Sequence, residues 1–278
     1  MESIFVMVQM ESTEDPMQNL RKAEQFAERA AEKYHPDFLL FPETFMLEFT
    51  KRTDSAARNA AAETLDGAFV TGMREIAKKH GVWIAFGMRE KVEDPADGRN
   101  YNTAVVVNTA GAIVRVYRKT HLYDAFGYKE SDEFKAGNDF FEPVETPFGK
   151  IGLFVCYEVR FPEVARVQRA RGADIILMPT AWVKGDMKSL HFKALITARA
   201  IENTVFMLAC DQYSKIRMGE SIAVDPMGVT LASAGEGEQL VPVYIDTARI
   251  AEVRRKLPSY EDRREELYGE LSGETGRR

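Results

Sequence analysis

Cys156 lies in the run KIGLFVCYEVRFPE, where a short apolar stretch rich in strand formers ends abruptly at the cysteine. Pro162 suits the first turn of a following helix that extends to Arg171. The sequence therefore predicts a strand, a turn at Cys156 and a helix. Such a turn exposes a thiol at the carboxyl edge of a sheet and directs backbone N–H groups at it, which favours a nucleophile.

Two other chemically active side chains also follow short apolar strands. FPETF places Glu43 after one strand, and YRKTH places Lys119 after another. A single cysteine in a strand is most often a packed core residue. Strand ends, however, are where the sites of open α/β sheets gather. A thiol, a carboxylate and an ammonium group at three strand ends therefore predict a catalytic site.

The pattern of elements around these residues predicts an α/β protein with a mixed sheet. Helical spacing follows Pro16, alternates with strand patterns and gives way to a hairpin that ends at Lys119. The segment 120–149 is too long for a plain connection and is predicted to be a binding loop, and residues 44–58 are predicted to overhang the site. Further strands are predicted at 36–41, 82–88, 175–179 and in four later runs, and helices at 188–203 and 247–256.

Composition places the chain among ordinary globular proteins. With 278 residues, of which 45% are apolar and 29% charged, it can bury one sizeable core. The net charge of −6 argues against nucleic acid as a partner. The first ten residues, MESIFVMVQM, fit a strand better than a signal peptide or membrane anchor. We therefore expect a cytoplasmic protein without a membrane partner.

Metal and disulfide chemistry are not indicated. The two cysteines do not make a disulfide framework, and Cys210 ends an apolar run typical of core. The four histidines are scattered without metal-ligand spacing, so we expect no metal site and no cofactor. His121 lies two residues from Lys119, and we interpret it as structural.

The three motifs together resemble the Glu–Lys–Cys triad of the nitrilase, or carbon–nitrogen hydrolase, superfamily. The resemblance covers nearly the whole chain and includes ARAIEN at 198–203 and DPMG at 225–228. It implies a four-layer α-β-β-α sandwich of two mixed sheets in a single domain, here residues 1–260. It also implies a homodimer or higher homo-oligomer, with the charged tail 261–278 reaching across to the second subunit before a mobile end.

The triad permits a defined chemistry. A Cys156 thiolate can attack an amide or nitrile carbon, while Glu43 takes the thiol proton, passes it to the leaving amine and later activates water. Lys119 places a fixed positive charge where negative charge develops, and the backbone N–H of Tyr157 is a second donor. These roles predict a thioester intermediate.

The resemblance implies further site residues. Glu130, in the ESDEF run, matches a second glutamate that orients the lysine, whereas the acid at Glu158 is expected to be structural. Substrate contacts are expected from Tyr157, from Arg160 and from the PTAW segment, namely Thr180, Ala181 and Trp182. Relatives often have histidine where this chain has Glu220, which leaves the subgroup open.

The predicted function is a cofactor-independent amidase that acts on a non-peptide C–N bond of a small molecule. The alternatives within the superfamily are an N-carbamoyl amide hydrolase, a nitrilase and an acyltransferase, and a non-catalytic scaffold is the alternative of another class. CYEVRFPE resembles the CYDIRFPE version of the omega-amidase branch, marked by Arg160. This arginine could hold the distal carboxylate of a dicarboxylate monoamide, or it could pair with Glu163 and brace the turn.

Overall fold

The computed structural model describes residues 2–48, 55–93 and 97–272. Its strands form two six-stranded sheets and one separate two-stranded sheet. The strands are β1 (Glu2–Gln9), β2 (Phe38–Leu40), β3 (Trp83–Lys91), β4 (Asn100–Val107), β5 (Ile113–Arg118), β6 (Asp124–Ala125), β7 (Tyr128–Lys129), β8 (Val144–Thr146), β9 (Gly149–Leu153), β10 (Ile175–Thr180), β11 (Phe206–Asp211), β12 (Ile222–Val224), β13 (Thr230–Ser233) and β14 (Gln239–Asp246). The α-helices in these ranges are α1 (Pro16–Tyr34), α2 (Ser55–Ala60), α3 (Ala68–His80), α4 (Pro162–Ala170), α5 (Lys188–Asn203) and α6 (Ala248–Lys256).

Both sheets are mixed and share one plan. The first has the order β14-β1-β2-β3-β4-β5, and the second has the order β13-β12-β11-β10-β9-β8. In each, three central strands run parallel and the flanking strands are antiparallel. Parallel neighbours need crossover connections, and helices supply them here. In the described part of the chain, no helix is long and apolar enough to cross a membrane.

The layers follow from where apolar side chains are buried. One core cluster lies between the two sheets and joins Phe5 and Phe38 of the first to Leu153 of the second. A second cluster packs α1 and α3 against the outer face of the first sheet. Helices α4 and α5 cover the second sheet. The predicted four-layer α-β-β-α sandwich in a single domain is therefore confirmed.

Local chemistry sets the helix ends. Asp15 caps α1 by accepting hydrogen bonds from the N–H groups of Met17 and Gln18, and Pro16 is the first helical residue. Gly81 ends α3 with a φ of 61°, the left-handed conformation that glycine adopts most readily. The start at Pro16 agrees with the sequence prediction.

Three segments contain regular structure where the sequence predicted a binding loop, an overhanging loop and a tail. Residues 120–149 contain the β6–β7 hairpin and β8, whose three residues extend the second sheet by pairing with β9. Strands this short carry too little periodicity to be predicted. Of the predicted loop 44–58, residues 49–54 lie outside the described residues and 55–60 form α2. In the charged tail, Glu265–Ser272 forms a 3-10 helix and 273–278 lie outside the described residues.

Candidate active site

Cys156 begins a 3-10 turn, Cys156–Arg160, that follows β9 and precedes α4. Its φ of 49° lies in the left-handed region, where a non-glycine residue costs about 1–3 kcal/mol. The residue is 9% exposed. The predicted order of strand, turn and helix is confirmed, and the strained backbone at its centre is typical of a functional position.

Glu43 reaches the same place through a tight passage of the FPETF segment over β3. A Cβ at Gly87 would lie 2.3 Å from the backbone nitrogen of Thr44 and 2.8 Å from the Cα of Glu43. The Gly87 N–H also donates to the carbonyl of Pro42 at 3.1 Å. The strand therefore needs glycine at this position so that the segment bearing the carboxylate can approach its backbone.

Lys119 joins the two predicted glutamates. Its ammonium nitrogen lies 2.9 Å from Glu43 Oε1 and 2.9 Å from Glu130 Oε2, and the residue is only 2% exposed. Glu130 is held in turn by the backbone N–H of Tyr123 at 2.6 Å. The structure thus brings together three of the four predicted catalytic residues through direct ion pairs.

Asn102, which the sequence analysis did not single out, connects the same two carboxylates. Its side-chain amide donates to Glu43 Oε1 at 2.8 Å and to Glu130 Oε1 at 2.9 Å. Asn102 is an inward-facing residue of β4 and is nearly inaccessible. A polar residue within the apolar run YNTAVVV was the available signal.

The PTAW segment completes the surroundings of the thiol. The Ala181 N–H donates to Glu43 Oε2 at 2.9 Å, so both carboxylate oxygens are engaged. A hydrogen bond with the backbone of Ala181 acts to lower the pKa of Cys156, whereas the buried Thr180 hydroxyl has no hydrogen-bond partner among the described residues. Of the residues predicted to line the site, Ala181 therefore contacts the triad itself.

Charge and burial set the protonation state of the site. Burial and the Glu43 charge raise the pKa of the Cys156 thiol far above its ordinary value, against the opposing charge of Lys119. Burial also acts to raise the pKa of Glu43, but the Lys119 charge and hydrogen bonds from Lys119, Asn102 and Cys156 hold it below its ordinary value. At neutral pH the pair is therefore a thiol beside a carboxylate.

Lys119 remains a cation in the same environment. Burial acts to lower its pKa, but the charges of Glu130 and Glu43 raise it well above the ordinary value. The site consequently holds a permanent positive charge next to the sulfur. Such a charge is suited to stabilise negative charge that develops on a substrate oxygen.

The other predicted substrate contacts, Tyr157, Arg160 and Trp182, make aromatic and cation–π contacts. The Tyr157 ring packs edge-on against Tyr123 at 5.0 Å. The Arg160 guanidinium lies over the Trp182 ring, 5.0 Å from its centroid. Arg160 forms no ion pair with Glu163 or any other acid that the structure describes, and its covered Nε and Nη2 atoms have no hydrogen-bond acceptor there. The alternative in which Arg160 braces the turn through Glu163 therefore finds no contact to support it.

Two further charged residues hold the PTAW segment. Arg217, also unpredicted, donates from Nη1 to the carbonyl of Ala181 at 2.8 Å and from Nε to Glu48 at 2.8 Å. The Trp182 N–H donates to Asp211 Oδ1 at 2.7 Å, and burial raises the pKa of Asp211 to about 7. Both are structural supports for the backbone that contacts Glu43.

Glu158 links the two strand ends that carry Lys119 and Cys156. It accepts hydrogen bonds from the N–H of Thr120 at 3.0 Å and from the N–H of Val155 at 2.7 Å, and it is fully buried. These contacts agree with the structural role expected for it. His121 stacks on Phe161 at 4.2 Å, which agrees with a structural role as well.

Two other residues lie apart from these contacts. Cys210 is completely buried in the core between the sheets, as expected. Glu220 pairs with Lys193 at 2.9 Å and accepts a hydrogen bond from Ser189 at 2.6 Å. Neither of these residues has a hydrogen bond or ion pair to the Glu43–Lys119–Cys156 cluster.

A thiol on a strained turn, a carboxylate and a fixed cation, set in a four-layer α-β-β-α sandwich, define a cysteine-dependent hydrolase. Residues 7–255 match the family model described as carbon–nitrogen hydrolase, and the chain belongs to that family. It is an enzyme of the amidase type, which hydrolyses a carbon–nitrogen bond other than a peptide bond.

Relatives and solved structures agree. The chain is 34% identical over 246 residues to the deaminated glutathione amidase of Escherichia coli O157:H7, covering 88% of this chain and 92% of that protein. The crystal structure of the Caenorhabditis elegans NitFhit protein superposes with a TM-score of 0.86 at 31% identity, over 96% of this chain and 66% of that one. A mutant amidase from Nesterenkonia sp. AN1, with the acetamide moiety of fluoroacetamide added covalently at its active-site cysteine, superposes with a TM-score of 0.78 at 25% identity, covering 96% of this chain and 95% of that one.

Proposed function

We propose that this enzyme converts the terminal amide of a short dicarboxylate monoamide into a carboxylate and ammonia, through a thioester on Cys156 and without a cofactor. The observation that carries the mechanism is the carboxylate of Glu43, held ionised by Lys119 and Asn102 beside a protonated thiol. A base and a nucleophile arranged in this way need only a substrate carbonyl within reach of the sulfur.

In the acylation step, the Cys156 sulfur attacks the amide carbon while its proton moves to Glu43. The oxygen becomes negative and is stabilised by the Lys119 ammonium and the Tyr157 backbone N–H. Glu43 then passes the proton to the amide nitrogen, the C–N bond breaks and ammonia leaves. This step leaves a thioester on Cys156, and Glu43 is again a carboxylate.

In the deacylation step, Glu43 removes a proton from water as the water oxygen attacks the thioester carbon. The C–S bond then breaks, the acid product leaves and Glu43 returns its proton to the sulfur. Glu130 orients Lys119 throughout, because its carboxylate oxygen Oε2 lies 2.9 Å from the ammonium nitrogen. Each residue ends the cycle in its starting state.

The substrate class is inferred from Arg160. Its guanidinium lies over the ring of Trp182, the residue after Ala181, whose N–H contacts Glu43, and it has no carboxylate partner in the described residues. A guanidinium binds a carboxylate through two parallel hydrogen bonds, so a distal acid on the substrate fits it well. The relatives named deaminated glutathione amidase support an amide substrate.

The proposal is tested by ammonia release from matched amides. Succinamate and glutaramate should be better substrates than butyramide and valeramide, which have similar chain lengths but no acid. Arg160→Lys should raise KM for the acidic amides by about tenfold or more and leave the neutral amides nearly unchanged, because only the acids lose a bidentate contact. Equal losses on both substrate types would contradict the substrate class, and release from a nitrile or carbamoyl panel alone would contradict the amide reaction.

We also propose a cytoplasmic homodimer. Ile201 of α5 lies beside the DPMG turn, and Met227, Val229 and Leu231 nearby are exposed on and next to the edge strand β13. Exposed apolar groups of this kind suit a contact between subunits. The tail 261–278 is proposed to contribute to the contact. A monomer in light scattering at micromolar concentration would contradict this assembly.

A further inference from the structure

Lys188, at the start of α5, is a buried cation that the mechanism above does not use. The residue is 7% exposed, and its ammonium donates to the Tyr123 hydroxyl at 3.0 Å. The same nitrogen lies 3.6 Å from the centroid of the Phe126 ring and 6.0 Å from that of Trp182. Among the residues that the structure describes, Lys188 has no carboxylate partner.

Trp182 therefore has two cations around it. Arg160 lies 5.0 Å from its ring centroid and Lys188 lies 6.0 Å from it. Aromatic faces attract cations, but they replace only part of the hydration that a buried cation loses. Two unpaired cations in one small region also repel each other. An anion bound between them would remove both costs at once.

The position of Lys188 connects it to the reacting groups. Tyr123, which receives its hydrogen bond, also donates its backbone N–H to Glu130 at 2.6 Å, and its ring packs against Tyr157. Trp182 directly follows Ala181, whose N–H contacts Glu43. Lys188 is therefore linked through Tyr123 to Glu130, and Arg160 is linked through Trp182 and Ala181 to Glu43.

We propose that Lys188 is the second cation of an acid-binding subsite, in which the distal carboxylate of the substrate lies between Arg160 and Lys188 beside Trp182. This inference rests on the proposed function and adds to it. Arg160 supplies the planar fork, and Lys188 supplies a compact charge. Lys188 is then a specificity-determining residue for acidic amides.

A structural role would give different results. In that case Lys188 would only anchor the β6–β7 hairpin by its contacts with Tyr123 and Phe126, and replacing it would affect every substrate alike. An acid-binding role affects KM for acidic amides alone. Lys188→Met keeps the apolar stem on the aromatic rings, whereas Lys188→Gln keeps a hydrogen-bond donor for Tyr123, and Lys188→Arg restores the charge.

The experiment compares KM and kcat for succinamate and butyramide in the three variants. Lys193→Gln is the matched control, because it lies on the same helix but its side chain is 52% exposed and pairs with Glu220. We expect Lys188→Met and Lys188→Gln to raise KM for succinamate by about tenfold or more, the loss of a charge-assisted hydrogen bond. Butyramide should change less than twofold, kcat should be kept, Lys188→Arg should recover most of the affinity, and Lys193→Gln should behave as wild type.

Two outcomes would overturn the inference, and they are distinguishable. If wild type prefers succinamate over butyramide but the preference survives in both Lys188 variants, the substrate class holds and Lys188 is not part of the subsite. If wild type shows no preference, the proposed substrate class fails and the subsite fails with it. Thermal melting of each variant identifies a folding defect. Should one of the two neutral variants fail to fold, the other decides.

Discussion

The charged residues beside Cys156 and the cations around Trp182 differ in the partners that compensate their charge. Glu43, Lys119 and Glu130 each contact a partner of opposite sign, and Asn102 donates a hydrogen bond to each of the two carboxylates. Arg160 and Lys188 contact aromatic faces and have no carboxylate within the described residues.

The difference indicates two purposes. A buried charge is tolerated when it is paired and hydrogen-bonded, and the pairing in the first group also sets which groups carry protons. Arg160 and Lys188 receive only partial compensation, from aromatic faces and, for Lys188, from the Tyr123 hydroxyl. The first group is therefore suited to proton transfer, and we propose that the second binds an anion.

The largest effect is expected from Cys156→Ala. Turnover should fall by about 10⁴ or more, because the nucleophile is deleted, while the loss of one small side chain at a strand end leaves the fold intact. Circular dichroism and the melting temperature check the fold. Ammonia release near the wild-type rate would show that Cys156 is not the nucleophile.

Glu43→Gln should lower the rate of acylation by about 10²–10⁴, the usual contribution of a general base, with KM nearly unchanged. The amide keeps the shape of the carboxylate but cannot accept the thiol proton. Lys119 remains paired with Glu130, so the fold should persist. Intact mass after rapid mixing with substrate measures the acyl-enzyme, and fast accumulation of it would contradict the assigned role.

Asn102→Leu should shift the pH dependence of kcat/KM. The Asn102 hydrogen bond lowers the pKa of Glu43, so its loss raises that pKa. Glu43 is inactive as a base when protonated, and the acidic limb of the profile should therefore move to higher pH. The stability that the depressed Glu43 pKa contributes, present above the ordinary carboxylate pKa and lost as pH falls through the depressed one, should also shrink.

Asn100→Leu is the control for this shift, because Asn100 lies on the same strand but contacts Asn59 instead of Glu43. Both substitutions remove a buried amide and cost stability of the same kind. Only Asn102→Leu should move the acidic limb. A shift of equal size in both variants would show that the pairing around Glu43 does not control its protonation.

The smallest effect is expected from Glu220→Gln. Glu220 pairs with Lys193 at 2.9 Å, and the lysine is half-exposed, so the pair should contribute less than about 1 kcal/mol to the free energy of unfolding. Kinetic constants for succinamate should change less than twofold. A large change in KM would extend the anion-binding region beyond the two cations at Trp182.

The sequence by itself determined the three strand ends that carry the chemistry. The apolar run before Cys156, the FPETF segment and the hairpin ending at Lys119 are local patterns, because a strand that stops at a turn is set by neighbouring residues. Glu130 was predicted from its resemblance to a family pattern. Local patterns and motif order were therefore sufficient for the triad and, with the resemblance, for the sandwich.

Only the tertiary structure decided which residues surround the triad. Asn102 reaches Glu43 across 59 positions of sequence, Ala181 reaches it across 138, and Gly87 is needed because one backbone passes over another. Nothing in the sequence distinguished Lys188 from other lysines at the start of a helix. Arg160 has an acid three residues away, Glu163, but does not pair with it. Which side chains pair depends on the distances between chain segments. The packing of the two sheets sets those distances, and spacing along the sequence does not reveal them.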